Sequence, residues 1–302
     1  GRAEIDPDAL WRATAEALTE VTTSITTEPI GAIGITGMAE TGLLIDATHG
    51  TIRSRLLPWF DQSAEPQARR LSARSDASNR FKTTGLAPSF KASLAKILWL
   101  RDLDPEIIEQ ARWLGAPEFV AWKLSGAAAT DASLAGRTCA FDIARQHWDV
   151  EWLAEWQLEP ALFAEVLPAG ARLGCTDSAS GFLSDIPVAV AGHDHVCAAY
   201  GVGAALTDEV FDSMGTAETL LGSFATRSLS DADAALGLMY GCHVVPGRLY
   251  WMGGLSAAGG SVEWLRGLLG DAPPSYATLR ALLRDAGREP TGLLYFPYLL
   301  GA

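Results

Sequence analysis

The run VAVAGHDHVCAAYG, Val188 to Gly201, sets an aspartate between two histidines where an apolar stretch ends. His193 and His195, one residue apart, could face the same side of a strand and share a metal ion. A metal centre needs further ligands, however. The other histidines are His49, His147 and His243, and none forms a paired helical spacing such as HxxxH. Asp194 could instead be a turn residue at a strand exit. It could equally be a functional carboxylate, because ligand-handling residues of α/β folds sit just past the C-terminal ends of strands. Spacing alone leaves the turn and the functional carboxylate open.

Other stretches invite similar readings. In SMGTAETLL, Ser213, Gly215 and Thr216 lie between two apolar runs. Such a turn can offer backbone N–H groups and a hydroxyl to a phosphate, or be an ordinary hairpin. In WMGGLSAAGGSVEWLRGLLG a strand ends at Gly253 and Gly254, and Gly259 and Gly260 open an amphipathic helix containing Glu263. Helix N-termini attract phosphate, and glycine lets a nucleotide approach the backbone. Tight strand–helix packing uses the same residues. No Walker loop or GxGxxG fingerprint is present. In ITGMAETG and PWFDQSA, Glu40, Trp59 and Asp61 follow apolar runs. Carboxylates beside an aromatic face suit a sugar or polyol pocket; surface carboxylates and a core tryptophan are the plain alternative.

These residues must be held by elements that the pattern also outlines. Asp6 followed by Pro7 starts a helix carrying Leu10, Trp11, Ala15 and Leu18. PIGAIGITGM and TGLLIDATHG read as strands, the second ending in a His-Gly turn. Helices are expected at AEPQARRLSAR, SLAKILWLRDLD and EFVAWKLSG, the last stopped by Gly126. DVEWLAEWQLEPALFAEVLPAG reads as helical. IPVAVAGHD is a strand and HVCAAYGVGAAL a helix of small residues. EVFDSMGT, ETLLGSF and GRLYWMGG follow as strands, SVEWLRGLLG as a helix and GLLYFPYLLG as a strand. Alternating strands and helices predict an α/β architecture, with a change of texture near residue 204.

The bulk numbers narrow the function. With 36 acidic against 23 basic residues, the net charge is -13. That argues against nucleic-acid and anionic-membrane partners. Cys139, Cys175, Cys197 and Cys242 are scattered and form no CxxC, as expected of reduced thiols in a cytoplasmic protein. No apolar run reaches the roughly 20 residues of a membrane span, and the N-terminal residues do not read as a signal peptide.

In this order the pieces resemble the FGGY carbohydrate kinases, whose members have an actin-like (ribonuclease-H-like) two-lobe fold. ITGMAETG with GLLIDATHGTIRSRLLPWFDQ looks like the first substrate segment. FVAWKLSGAAATDASLAGRTCAFDIARQHWD looks like the block built on TD.S.A..T..fD. PVAVAGHDH, SMGT, GGLSAAGGSVEWL and LYFPYLLGA follow as the catalytic strand end, the phosphate turn, the nucleotide helix and the LPYL-G segment. The resemblance implies that residues 1–204 form a substrate-side lobe lacking its first strands, and 205–302 an incomplete nucleotide-side lobe. It implies phosphorylation of a sugar or polyol hydroxyl by ATP with Mg2+, with Asp194 as general base. Glu40, Trp59, Asp61 and His195 would face the substrate. Gly215, Thr216, Gly254, Gly259 and Glu263 would lie toward the nucleotide, and no protein metal site is expected. A homodimer is compatible with it.

Departures sharpen these expectations. Phe60 and Ser63 replace the Asn and Arg of Trp-Asn-Asp-Gln-Arg, and Ala39 stands where glycerol kinases carry an arginine. Both point away from glycerol. An N-terminal Asp-x-Gly-Thr loop and a later adenine-binding glycine motif are missing, so a fragment with little kinase activity is expected. Two other readings stay open: a metal-dependent hydrolase using His193 and His195, and a non-catalytic sugar-binding relative.

Overall fold

An N-cap carboxylate and a proline start the first helix, α1 (Pro7–Ser24): the Asp6 side chain accepts the Asp8 amide, and Pro7 takes the first helical position. A computed structural model describes residues 1–25, 29–74, 76–176, 184–206, 209–255, 257–270, 272–287, 289, 291–296 and 299. The chain forms two compact units, Gly1–Glu209 with Gly222–Trp251, and Val210–Leu221 with Met252–Ala302.

In the larger unit, β1 (Ile33–Gly37) and β2 (Gly42–Asp46) precede the helices α2 (Glu65–Ser72), α3 (Ala77–Thr84) and α4 (Ser93–Leu103). Next come β3 (Ala111–Gly115), α5 (Ala116–Ser125), β4 (Ala129–Asp131) and the short α6 (Ala132–Ala135). A small hairpin, β5 (Phe141–Asp142) with β6 (His147–Trp148), leads to α7 (Val150–Glu155), β7 (Glu165–Leu167) and β8 (Arg172–Cys175). The pattern closes with β9 (Pro187–His193) and α8 (Asp194–Gly201). One sheet has the order β1-β9-β8, with β1 parallel and β8 antiparallel to β9. β2 pairs antiparallel with β3, and β4 pairs parallel with β7.

Apolar burial explains this arrangement. Val188 and Val190 of β9 pack with Ala121 and Leu124 of α5. The helix α4 is buried nearly all round, through Leu94, Ala95, Ile97 and Leu98, and it also carries the fully buried Lys96. An all-round apolar helix belongs inside a core.

Past α8 come β10 (Val210–Met214), β11 (Glu218–Ala225), α9 (Asp231–Ala235), β12 (Met239–Cys242) and β13 (Arg248–Leu255). They are followed by α10 (Gly259–Leu268) and α11 (Tyr276–Asp285). In the smaller unit Arg266 Nε donates to the Pro274 carbonyl at 2.9 Å, and the Trp264 and Tyr295 rings stack at 6.1 Å.

Two expectations need correction. Of DVEWLAEWQLEPALFAEVLPAG only Val150–Glu155 is α-helical; a 3-10 turn and β7 follow. Gln157, at φ +55°, turns the chain out of the helix, and Pro160 then takes the first position of the 3-10 turn. The strand expected at GLLYFPYLLG is not seen among the described residues 292–296; Pro297, Tyr298, Leu300 and Gly301 lie outside the described set. Among the described residues no helix is long and apolar enough to cross a membrane.

Candidate active site

Parallel pairing of β1 with β9 brings Glu40 and Asp194 to the same end of one sheet. The register runs from Ile33 opposite Val188 to Gly37 opposite His193, with a shift between Ile35 and Thr36. Both strands therefore release their chains side by side at their carboxyl ends, where ligand sites of α/β sheets form. Thr36 Oγ1 donates to the Gly192 carbonyl at 2.8 Å and secures this end.

Gly192 is required here. Its φ is +126°, and a Cβ would lie 2.6 Å from Val244 Cγ1 and 2.7 Å from Ser133 Oγ. Ser133 Oγ accepts the His193 amide at 2.9 Å and itself donates to Asp131 Oδ1 at 3.0 Å. Asp131, fully buried, also caps α6 through the Ser133 and Leu134 amides. The TDAS stretch thus sets the backbone from which Asp194 projects.

Asp194 opens α8, and its side chain is 42% exposed. Its Oδ1 accepts the His195 amide at 2.8 Å and lies 3.3 Å from His193 Nε2. The His195 ring stands edge-on to His193, centroids 5.7 Å apart. Among the described residues no group of three or more His, Cys, Asp or Glu side chains is placed to hold a metal.

Glu40 sits on the turn after β1 with φ +57°, an uncommon conformation for a residue other than glycine. Its carboxylate pairs with the buried Arg137, whose Nε donates at 2.8 Å and whose Nη2 adds a second bond to the same oxygen. Burial opposes the Arg137 charge, but Glu40 and Tyr250 outweigh it and keep the guanidinium more firmly protonated than usual. A cavity of about 20 Å³ lies among Glu40, Thr41, Ser93, Glu118, Thr130 and Thr138. It has room for one water, not for a sugar.

Trp59 is tied to the Glu40 turn: its amide donates to Thr41 Oγ1 at 2.9 Å. Trp59 is 41% exposed, with Phe60 edge-on to its ring at 5.5 Å and the Lys91 ammonium over it at 5.3 Å. Asp61 is not brought to this surface. It is fully buried, and its carboxylate accepts the Ala3 amide at 2.6 Å and both the amide and hydroxyl of Ser63.

In the smaller unit, Gly215 and Thr216 form an exposed turn against the start of α10. The amides of Ala258, Gly259 and Gly260 donate to the Thr216, Gly215 and Thr216 carbonyls. A Cβ on Gly259 would lie 2.6 Å from the Gly215 carbonyl oxygen, so glycine permits this approach. These helix-start donors hold the turn itself. Gly254 lies close under Glu218, where a Cβ would meet the Glu218 carbonyl oxygen at 2.6 Å. Glu263 pairs with Arg266 at 2.7 Å and accepts from the Tyr276 hydroxyl.

The model of the FGGY family of carbohydrate kinases, N-terminal domain, matches residues 1–201. The chain belongs to the FGGY carbohydrate kinases. It is 28% identical to a xylulose kinase of Escherichia coli over 99% of this chain and 61% of that protein. It is 26% identical to a glycerol kinase of Saccharolobus islandicus, over 100% of this chain and 60% of that one. Among solved structures, a gluconate kinase from Lactobacillus acidophilus superposes with a TM-score of 0.89 at 20% identity, over 99% of this chain and 61% of the other. A xylulose kinase from Rhodospirillum rubrum gives 0.87 at 24%, over 99% and 62%. At such identities the likeness establishes the fold, the α/β actin-like fold of these kinases. The chain spans about three fifths of the length of the relatives it matches.

Several residues that hold Glu40 and the β9 end were not singled out in the sequence. Arg137, Ser133 and Asp131 fall inside the TD.S.A..T..fD block, yet that block as a string does not say which side chain meets Glu40 or His193. Lys96 carried a stronger signal: a lysine inside the apolar helix AKILWL must find partners in the core.

Proposed function

We propose that this FGGY chain belongs to an enzyme that transfers the γ-phosphoryl group of ATP to a hydroxyl of a sugar or polyol, with Asp194 as the general base. The observation that carries this reading is the β1–β9 pairing, which sets the half-exposed Asp194 carboxylate beside the strand end that carries Glu40. Glu40 and the open Trp59 ring suit a linear polyol or ketose: an acceptor for hydroxyls and an aromatic face for C–H groups. Relatives named xylulose, glycerol and gluconate kinase are consistent with that class.

In the reaction, the substrate hydroxyl oxygen forms a bond to the γ-phosphorus as the bond to the β–γ bridging oxygen breaks, releasing ADP. The hydroxyl proton passes to Asp194. An alcohol has a high pKa, so its proton leaves late, and the base must be ionised and within hydrogen-bond reach rather than strong. The Gly215–Thr216 turn would meet the phosphates. Mg2+ generally travels on nucleotide phosphates, and would neutralise charge there. His195, half-buried next to Asp194, would face the substrate.

The test is Asp194→Asn in the full-length protein. Sugar-dependent ADP release should vanish while sugar binding persists. Full activity in that variant would sink the assignment. A native protein that binds sugars but never consumes ATP would instead make it a non-catalytic relative.

A further inference from the structure

Lys96 is fully buried in α4, and its ammonium faces backbone carbonyls. It donates to the Glu40 carbonyl, to that of Pro58 at 2.8 Å and to that of Leu57 at 3.4 Å. An ammonium has three donors and no acceptor, so three carbonyls satisfy it completely. An apolar residue would fill this place in the core without the cost of burying a charge. What the lysine adds is a connection between two segments distant in sequence, the Glu40 turn and the Leu57–Pro58 stretch that leads into Trp59.

Other contacts join the same two segments. Gly42 and Leu57 exchange backbone hydrogen bonds, at 3.2 and 2.8 Å, and Trp59 N reaches Thr41 Oγ1. These secure the base of the pair. Lys96 reaches the Glu40 backbone itself, at a residue held at φ +57°. Such a conformation persists only where surrounding contacts enforce it.

We propose that Lys96 is a positioning residue that fixes the Glu40 turn and the Trp59 segment relative to each other, so that carboxylate and ring engage one substrate together. This rests on the assignment of Glu40 and Trp59 to the sugar. The charged groups that face the ammonium are Glu40 and Asp61; burial pushes its pKa down to about 8 against their pull. A neutral amine keeps only two donors, so one of the three ties is lost as the lysine deprotonates.

The experiment compares native and K96M full-length protein by amide hydrogen exchange over residues 38–42 and 57–62, and by calorimetric binding of D-xylulose at about pH 7 and about pH 9.5. In K96M both segments should exchange faster, and D-xylulose should bind about tenfold more weakly. Native affinity should fall between the two pH values while that of K96M stays level. Unchanged exchange in both segments overturns the proposal. So does faster exchange with unchanged affinity, which would leave Lys96 a mere core clip. If native protein binds no D-xylulose, the sugar assignment suffers, and exchange alone decides for or against the Lys96 connection. Should K96M fail to fold, exchange of the native segments at the two pH values, corrected for the intrinsic rate, serves instead: equal protection at both overturns the proposal.

Discussion

His193 turns its Nε2 toward Asp194 Oδ1 at 3.3 Å, a buried imidazole beside a carboxylate that is 42% exposed. Burial and the nearby Arg137 charge hold the His193 pKa well below its usual value, although Asp194 pulls the other way. The ring is therefore neutral around pH 7. The neutral ring lies against that carboxylate and limits where it can sit. His193→Ala should lower kcat roughly three- to tenfold, because the Asp194 carboxylate loses the ring that limits its positions, with little change in the sugar KM. His193→Ala should leave the shape of the kcat profile between about pH 5 and 8 unchanged, because the neutral His193 does not titrate there. A KM effect without a kcat effect would refute this role.

The Arg137–Glu40 pair makes a different prediction. Side-chain exposure is 4% for Arg137 and 11% for Glu40. Arg137→Met would leave a carboxylate nearly buried and unpaired, at a cost of about 3–5 kcal/mol in urea unfolding. The double variant E40Q/R137M should recover a sizeable part of that loss, because no uncompensated charge remains. Additive losses would show that the two side chains stabilise the fold independently.

Much of this was legible in the residues. Asp6–Pro7 starts α1, Gly126 ends α5, and the β9 strand stops at the GHD stretch, as the pattern indicates. Local chemistry decides such features, so sequence carries them. Asp61 shows the opposite case. Its place in PWFDQ suggests a substrate contact, but its carboxylate is consumed by Ala3 and Ser63. The Ala3 contact joins residues 58 positions apart, and no local pattern announces it. Arg137 was equally silent, since its partner Glu40 lies 97 positions away.

Gly192 offers a test of the strand end. At φ +126°, with Ser133 Oγ 2.7 Å and Val244 Cγ1 2.6 Å from where a Cβ would stand, alanine brings both backbone strain and overlap. Gly192→Ala should destabilise by about 2–5 kcal/mol. Ser133→Ala, which removes the acceptor of the His193 amide, should cost about 1–2 kcal/mol. Denaturant midpoints check both. A Gly192→Ala protein as stable as native would mean that the β9 end relaxes freely.

Glu118 predicts how stability follows pH. It is fully buried in the larger unit, with Oε1 accepting from Thr130 Oγ1 at 2.7 Å and Oε2 unpartnered among the described residues. Burial pushes its pKa up from the ordinary 4.5 to about 7; Asp131 adds to the rise and the Thr130 bond opposes it. Between those values the folded chain holds a proton that the unfolded chain has released. The stability this residue contributes is therefore complete below about pH 4.5 and is lost as pH rises through about 7, by roughly 3 kcal/mol in all. Glu118→Gln is neutral at every pH and keeps an acceptor for Thr130. It should flatten the slope across this window and be the more stable protein at about pH 8, by about 1–3 kcal/mol. Urea unfolding in steps from about pH 5 to 8 measures both curves; parallel curves would show that Glu118 is not the group that titrates.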